Sequence, residues 1–503
     1  MPRLTPWIVA LATATTAACV DGDPAPLDDV SESLTAPATT DTAATDAAAD
    51  TAAAAAAAAA CPVSGTIPAR SLAVTDATAL AKFSFTRVMD RLRATAGTAT
   101  VQTNLAIYQA WFRTFGATAA AGDCNDATID PEHYGLRCPR TPELKLASVN
   151  PFAATSTVKL VPVGLFNRFD LAPSSGANCG EYRIVYSVTA TAAAPLTGPG
   201  FVIFEAALPN PTPAAGIAAC LPVAQFWQSL STDADAASRA AKLEKFYFTG
   251  GAVAGFPAVV DARHYGLANG ATAAFTAGQI RTNMFIDGAE WALREFKLRK
   301  ACAVPTDPTT CRLSFAHQPV KANPAEELFA GTHARSSTFL AAFVNQVPAL
   351  IRTTVPTIGL ATANVFNEFE SISMPGTETV RYRARASAAT RAAIQQKLTA
   401  LGSTLTPANV LDRATTQTCA GCHQTSVGVA LGGGLVWPSS NGFTHIDGAK
   451  TLSPALTAVF LPRRKAVLEA FINARCTATR SQGTVLASDP SLTIGGSPVG
   501  AAN

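Results

Sequence analysis

The chain has 503 residues, 48% hydrophobic and 15% charged, with 38 Lys and Arg against 35 Asp and Glu for a net charge of +3. That length and apolar content suffice for one or two buried cores. No dense Lys/Arg stripe interleaved with aromatics is present, which excludes a nucleic-acid binder, and eleven cysteines point to an oxidising compartment.

Arg3 gives a short positive start, residues 7–12 an apolar centre and Thr16-Ala17-Ala18-Cys19 a small-residue cleavage site. Residues 1–18 are therefore predicted to be an export signal, too short in its apolar part for the roughly 20 residues of a membrane span. The small residues before Cys19 resemble the lipobox of bacterial lipoproteins. That implies a lipid anchor at Cys19 and a periplasmic or outer-membrane lipoprotein. Thr16 stands where the lipobox usually has Leu, so simple secretion is the alternative.

Residues 19–60 carry eight acids and no Lys or Arg, and end in an alanine run from Ala52 to Ala60. Too few large apolar side chains are available to bury, so this stretch is expected to be a disordered tether. With Arg3 and the tether acids set aside, residues 61–503 carry +10. Such a body suits an acidic redox partner protein or an anionic envelope surface, with ordinary solvated charge as the plainer reading.

Apart from Cys19, Cys419 and Cys422, eight cysteines remain, enough for four disulfides. Proximity pairs Cys302 with Cys311 and Cys124 with Cys138. Elimination leaves Cys179–Cys220 and Cys61–Cys476.

Residues 61–385 are predicted to form an α+β body. Phe85, Met89 and Leu92 share one helical face, as do Leu105, Tyr108 and Phe112. Residues 158–166, 182–188, 201–208 and 279–285 are β-branched and aromatic runs bounded by turn residues, and Leu313, Phe315 and His317 alternate as in a half-buried strand. Residues 291–299 are ambiguous, because Trp291/Leu293 and Phe296/Leu298 alternate out of phase; a bulged strand competes with a helix. Irregular linkers favour an antiparallel sheet with helices on one side or end. A helix then follows Ser336 and Ser337, its candidate caps, with Phe339, Phe343, Val347 and Leu350 inward.

From 386 to 480 the pattern is helical. One helix covers about 387–401 with Gly402 as its stop, and another opens at Thr406-Pro407 and carries Val410, Leu411 and Ala414 inward. A turn at Gly432, Gly433 and Gly434 follows. Two more helical pieces start at Ser453-Pro454 and at Pro462, the last with Val467, Leu468 and Phe471 inward. Residues 481–503 read as a flexible tail.

Within this region stands Thr418-Cys419-Ala420-Gly421-Cys422-His423. Cys-x-x-Cys-His is the spacing at which a c-type haem is attached, and chance placement would give only about 0.003 occurrences in this composition. The two thiols form thioethers to one porphyrin, and the next histidine becomes the proximal iron ligand. A Cys419–Cys422 disulfide and half of a zinc site are the rival readings; zinc would need a second ligand pair, and only His445 and Cys476 follow.

The segment resembles the helical c-type cytochrome domain, in which helices on either side of the motif enclose one haem. The resemblance covers roughly residues 386–480 and rests on the attachment motif. It implies Cys419 and Cys422 as thioether residues and His423 as proximal ligand. No methionine follows Met374, so the usual distal thioether is missing. His445 is the first choice for the second iron ligand; Met374, His333, His317 or an open position are the alternatives. A second imidazole would lower the reduction potential relative to methionine. Trp437 and Phe443 are candidate porphyrin walls, and Arg463, Arg464 and Lys465 candidate propionate partners.

Three functions remain open on this reading. The first is a membrane-tethered electron-transfer cytochrome with one covalent haem c. The second is a haem enzyme of peroxidase or oxidase type, although dihaem peroxidases carry two such motifs. The third is a binding or structural lipoprotein with haem structural or absent. No serine-hydrolase elbow or His-Glu-x-x-His motif appears in the body.

Overall fold

The computed structural model describes residues 65–116, 136, 139–191, 196–288, 290–373 and 381–478. The expected export signal, tether, tail, Cys19, Cys61, Cys124, Cys138 and Met374 lie outside these residues. So therefore do the Cys124–Cys138 and Cys61–Cys476 pairings.

The first two long helices are α1 (Phe85–Ala96) and α2 (Asn104–Arg113). The Ser84 hydroxyl accepts the Arg87 N–H, and Gly97, at φ +70°, ends α1. Thr103 caps α2 by accepting the Ala106 N–H at 3.1 Å. Val88, Met89 and Leu92 of α1, and Ile107, Tyr108, Trp111 and Phe112 of α2, are buried. Leu105, expected on that face, is only half-buried.

A nine-stranded sheet follows: β1 (Ala73–Val74), β2 (Val158–Arg168), β3 (Asn178–Ala190), β4 (Gly200–Pro209), β5 (Ala268–Asn269), β6 (Gln279–Met284), β7 (Trp291–Cys302), β8 (Cys311–Gln318) and β9 (Glu370–Ser373). Its order is β1-β2-β3-β4-β6-β7-β5, with β8 and β9 also paired to β7. Every pairing is antiparallel except the two-residue parallel match of β5 with β7.

Helices were expected on one side or end of this sheet, yet both faces are buried. On one face, where Tyr182, Ile184, Val202 and Ile280 are buried, Tyr186 and Phe204 meet Phe85 of α1 and Phe296 meets Trp111 of α2; Phe85 lies 5.5 Å from Tyr186, and Trp111 stacks on Phe315 at 4.0 Å. On the other face the C-terminal segment lies across the strands. A Cβ on Gly164 would come within 3.0 Å of Ile446, and one on Gly448 within 3.3 Å of Ser187.

The double burial explains the ambiguous stretch at 291–299. It is the unbulged strand β7, in continuous register with β6. Trp291 and Leu293 point to the C-terminal segment, and Phe296 and Leu298 to the α1/α2 side, so parity rather than irregularity changes the phase.

Further helices are α3 (Leu221–Ser229), α4 (Ala236–Glu244), α5 (Ser336–Leu350), α6 (Ala388–Ala400), α7 (Pro407–Thr415) and α8 (Leu461–Ala478). Helix α5 buries the predicted Phe339, Phe343, Val347 and Leu350. Arg335 rather than a serine precedes it, because the Ser336 hydroxyl is spent on the His333 N–H and the Glu327 carbonyl. The piece starting at Ser453-Pro454 is a π-helical run, Ala455–Phe460, continuous with α8.

An all-α module is therefore not what residues 386–478 form. They include a hairpin, β10 (Ala430–Gly432) with β11 (Leu435–Val436), and their buried residues join those of the sheet in one apolar cluster. The disulfides Cys179–Cys220 and Cys302–Cys311 are present. Among the described residues no helix is long and apolar enough to cross a membrane.

Candidate functional site

Helix α7 delivers the Cys-x-x-Cys-His turn. It starts in a capping box between Thr406 and Asn409 and ends in a series of hydroxyls folded back on the backbone. Thr416 donates to the Arg413 carbonyl at 2.6 Å and Thr418 to that of Thr415 at 2.9 Å. Residues 421–425 form a π-helical turn, closed by the Ser426 N–H donating to the Gly421 carbonyl at 3.2 Å. Such widened turns recur at functional sites. Gly421 is required here: a Cβ would stand 1.8 Å from the Thr415 carbonyl oxygen. The turn docks on the sheet through the Ala420 N–H, which donates to the Ser371 hydroxyl of β9 at 3.0 Å. Cys419 packs in a small cluster with Trp291, Leu293, Val320 and Phe443.

The structure brings the sequence-predicted residues together. Cys419, Cys422, His423 and His445 are all fully buried. Nε2 of His445 lies 3.4 Å from the Cys422 sulfur, and the two imidazole centroids are 4.8 Å apart. Nδ1 of His423 meets the Phe443 carbonyl at 3.0 Å, and Nδ1 of His445 the Ser453 hydroxyl at 2.9 Å. Anchoring Nδ1 orients the ring with Nε2 inward, as metal-ligating histidines require.

Aromatic residues complete the walls. The Trp437 indole N–H donates to the Cys422 carbonyl at 3.2 Å. Phe443, held at φ +61°, stacks on Trp291 at 5.7 Å and on Phe285 at 5.3 Å. Asn283 joins these groups, accepting from the Trp291 indole at 2.7 Å and donating to the Phe443 carbonyl at 3.1 Å.

Beneath the turn the sheet presents charge. Arg183 sits opposite Glu205 in the β3–β4 register, and Arg281 opposite Glu295 in β6–β7. Arg281 reaches Glu295 at 2.8 Å and Glu205 at 3.2 Å, Arg183 reaches Glu181 at 2.8 Å, and Arg168 reaches Asp170 at 2.9 Å. Burial of the Glu181 carboxyl would raise it, but Arg183 and Lys321 outweigh that and hold it at about 2. Burial pushes the Cys419 thiol up to about 12, with Arg281 pulling it down and Glu295 and Glu205 pushing it further up. Burial also raises the Cys422 thiol and keeps His445 neutral. Thiols so placed are poor nucleophiles once the chain has folded.

Arg183 and Glu205 alternate with apolar neighbours in Tyr182-Arg183-Ile184 and Phe204-Glu205-Ala206, a pattern that locally fits a strand exposed on one side, yet both charges are buried. Of the three candidate propionate partners only Arg464 is buried, 4.0 Å from Asp170; Lys465 faces Glu469 at 3.9 Å. His317 points to the opposite face of the sheet, opposite Phe296, and cannot reach the turn. The His333 ring accepts the Arg335 N–H at 3.0 Å ahead of α5. Ser453, Asn283, Ser371 and Trp291 were not foreseen, since only the folded chain brings them to residues 419–445.

The buried donor set is two thiols and two imidazoles, the side-chain types that covalent haem attachment uses. Cys419 and Cys422 are unpaired thiols in a chain whose other described cysteine pairs are bridged. Two oriented imidazoles stand beside them. Among the described residues no group of three or more His, Cys, Asp or Glu side chains could hold a bare metal ion. Compared with known proteins, the chain matches no protein family, no curated protein and no solved structure.

Proposed function

We propose that this chain is an exported, membrane-tethered c-type cytochrome that carries one covalent haem and passes single electrons to a redox partner protein. The observation that carries the reading is the convergence of Cys419, Cys422, His423 and His445 in one buried cluster, with both thiols unpaired. Each thiol would add across one vinyl group, sulfur to one carbon and hydrogen to the other, so attachment needs no external oxidant. His423 and His445 would be the imidazoles that hold the iron. A bound haem c supplies a one-electron couple.

The chain's own residues do the positioning. The Phe443 carbonyl orients His423, Ser453 orients His445, and Trp437, Phe443 and Trp291 exclude water. Since both thiols are buried and held in their protonated form, the chain must present them before the segment from Phe443 to Ser453 closes over the turn.

The complete burial favours one second reading, in which the haem braces the sheet against α7 instead of exchanging electrons. A haem-stained denaturing gel of protein exported with an intact cytochrome-assembly pathway tests the first claim. A stained band at the mass of the chain is expected, and its absence ends the haem reading. Stopped-flow reduction of the haem-loaded chain separates the two roles: a carrier exchanges rapidly with small redox couples, a structural haem does not.

A further inference from the structure

The α1/α2 side of the sheet holds a second buried polar cluster, behind the strands that seat the motif. Arg294 of β7 stands opposite Thr282 of β6 and Glu370 of β9 in the register, so all three side chains share this face. Arg294 pairs with Glu370 at 3.0 Å, and its guanidinium lies over the Phe115 ring at 4.5 Å.

Phe115 ties further groups to the same place. Its ring centroid lies 6.3 Å from that of His317, which packs on Phe296 at 4.5 Å. Its carbonyl accepts the Arg140 N–H at 2.8 Å. The Arg140 guanidinium donates to one oxygen of Glu143 at 2.8 Å and to the Glu290 carbonyl at 2.7 Å. Arg294 is close enough to act on both Glu143 and His317. Arg140, Glu143, Thr282, Arg294, His317 and Glu370 are all at least nine-tenths buried.

Charge balances here, two guanidiniums against two carboxylates. Hydrogen bonding does not. The second oxygen of Glu143, the Thr282 hydroxyl and both ring nitrogens of His317 have no hydrogen-bond partner. The Thr114 carbonyl lies near the His317 ring without closing a bond to it. Burial, with Arg294 beside the ring, keeps His317 neutral, so one nitrogen donates and the other accepts. Stranded buried donors and acceptors are costly, and native proteins rarely leave several together.

We infer that this cluster is a binding site for ordered water, which links Glu143, Thr282 and His317 and so braces the end of α2 against β6 and β8. The inference stands independently of the haem reading.

The orphaned atoms select the ligand class. An anion would face the bare oxygen of Glu143, and a cation would face two guanidiniums. Among the described residues no group of three or more His, Cys, Asp or Glu side chains could hold a metal ion. A small neutral molecule that both donates and accepts meets every requirement. Water does so: it donates to Glu143 and accepts from the His317 ring, and two to four polar partners are what a buried water needs.

Thr282→Val tests the site by the sign of its effect, because valine keeps the shape and loses only the hydroxyl. With water present, the variant forfeits a hydrogen bond, and its unfolding equilibrium constant in urea should rise about three- to tenfold. In a dry cluster the same change removes a stranded hydroxyl and stabilises the chain. Unchanged or raised stability therefore overturns the inference. His317→Phe follows the same logic beside Phe115 and Phe296, and should likewise destabilise. If either variant fails to fold, a crystal structure of the wild-type full chain decides. Water density within hydrogen-bond distance of the second Glu143 oxygen and the His317 ring is expected. Side chains closed directly on one another there, or an ion in that density, overturn it.

Discussion

Gly421→Ala should damage the motif although both thiols and both histidines remain. The added Cβ would stand 1.8 Å from the Thr415 carbonyl oxygen and 2.6 Å from its carbon, and real Cβ contacts stay above 3.0 Å, so the turn has to shift by about 1.2 Å. The obstacle is backbone, which cannot rotate away, so the overpacking penalty lies near the upper end of its range, about 3 kcal/mol. Unfolding roughly 380 described residues carries an entropy of about 0.8 kcal/mol/K, which converts that penalty to a melting-temperature drop of about 4 °C. Gly434→Ala is the control: at φ +77° with nothing within 4 Å, it meets only backbone strain, about 1 kcal/mol. Thermal unfolding followed by circular dichroism, with haem stain as a second readout, makes the comparison. If Gly421→Ala melts no lower than Gly434→Ala, the close approach at Thr415 is not a constraint and the reasoning fails.

Further outcomes follow from other contacts. His445→Ala should convert a low-spin ferric absorbance spectrum of the haem-loaded chain to high-spin; an unchanged spectrum removes His445 from the sixth position. Arg413→Met should cost about 3 kcal/mol or more in denaturant unfolding, because the buried guanidinium serves the carbonyls of Leu431, Gly432, Leu350 and Arg352 at 2.8–3.0 Å; a loss below about 1 kcal/mol refutes the clamp. Burial pushes the Glu368 carboxyl up to about 7, with Arg381 pulling it down and Glu327 and Glu326 adding to the rise. The folded state then binds this proton more tightly than the unfolded one, so its contribution to stability is present at low pH and lost as pH rises from about 4.5 to about 7. Glu368→Gln should show a smaller fall in melting temperature between pH 5 and pH 7.5, and an identical fall counts against the assignment.

How much was legible depended on whether the signal was local. The cap at Thr406, the stop at Gly402 and the stripe from Phe339 to Leu350 are set by neighbours within one or two helical turns, and the structure places them as read. The motif itself was readable for the same reason, since five consecutive residues define it. The distal candidate His445 was also reached from sequence, though only by elimination among few histidines, and its ring does meet Cys422.

What only the tertiary structure decided is which surfaces are inside. A strand that alternates Arg183 with Ile184, or Glu205 with Phe204, reads as half-exposed, because alternation reports two faces without reporting what covers the second. Here the covering layer comes from more than 200 residues further along the chain, where the turn at 419–423 and the segment at 443–448 close over the charged face. The folded chain likewise put the Phe443 carbonyl beside His423 across 20 residues, and the Ser453 hydroxyl beside His445 across the turn that Ile446 and Leu452 bridge. The sequence by itself determined which thiols and imidazoles the chain carries; the fold determined their depth and their orientation, since those depend on the layers that distant segments bring over them.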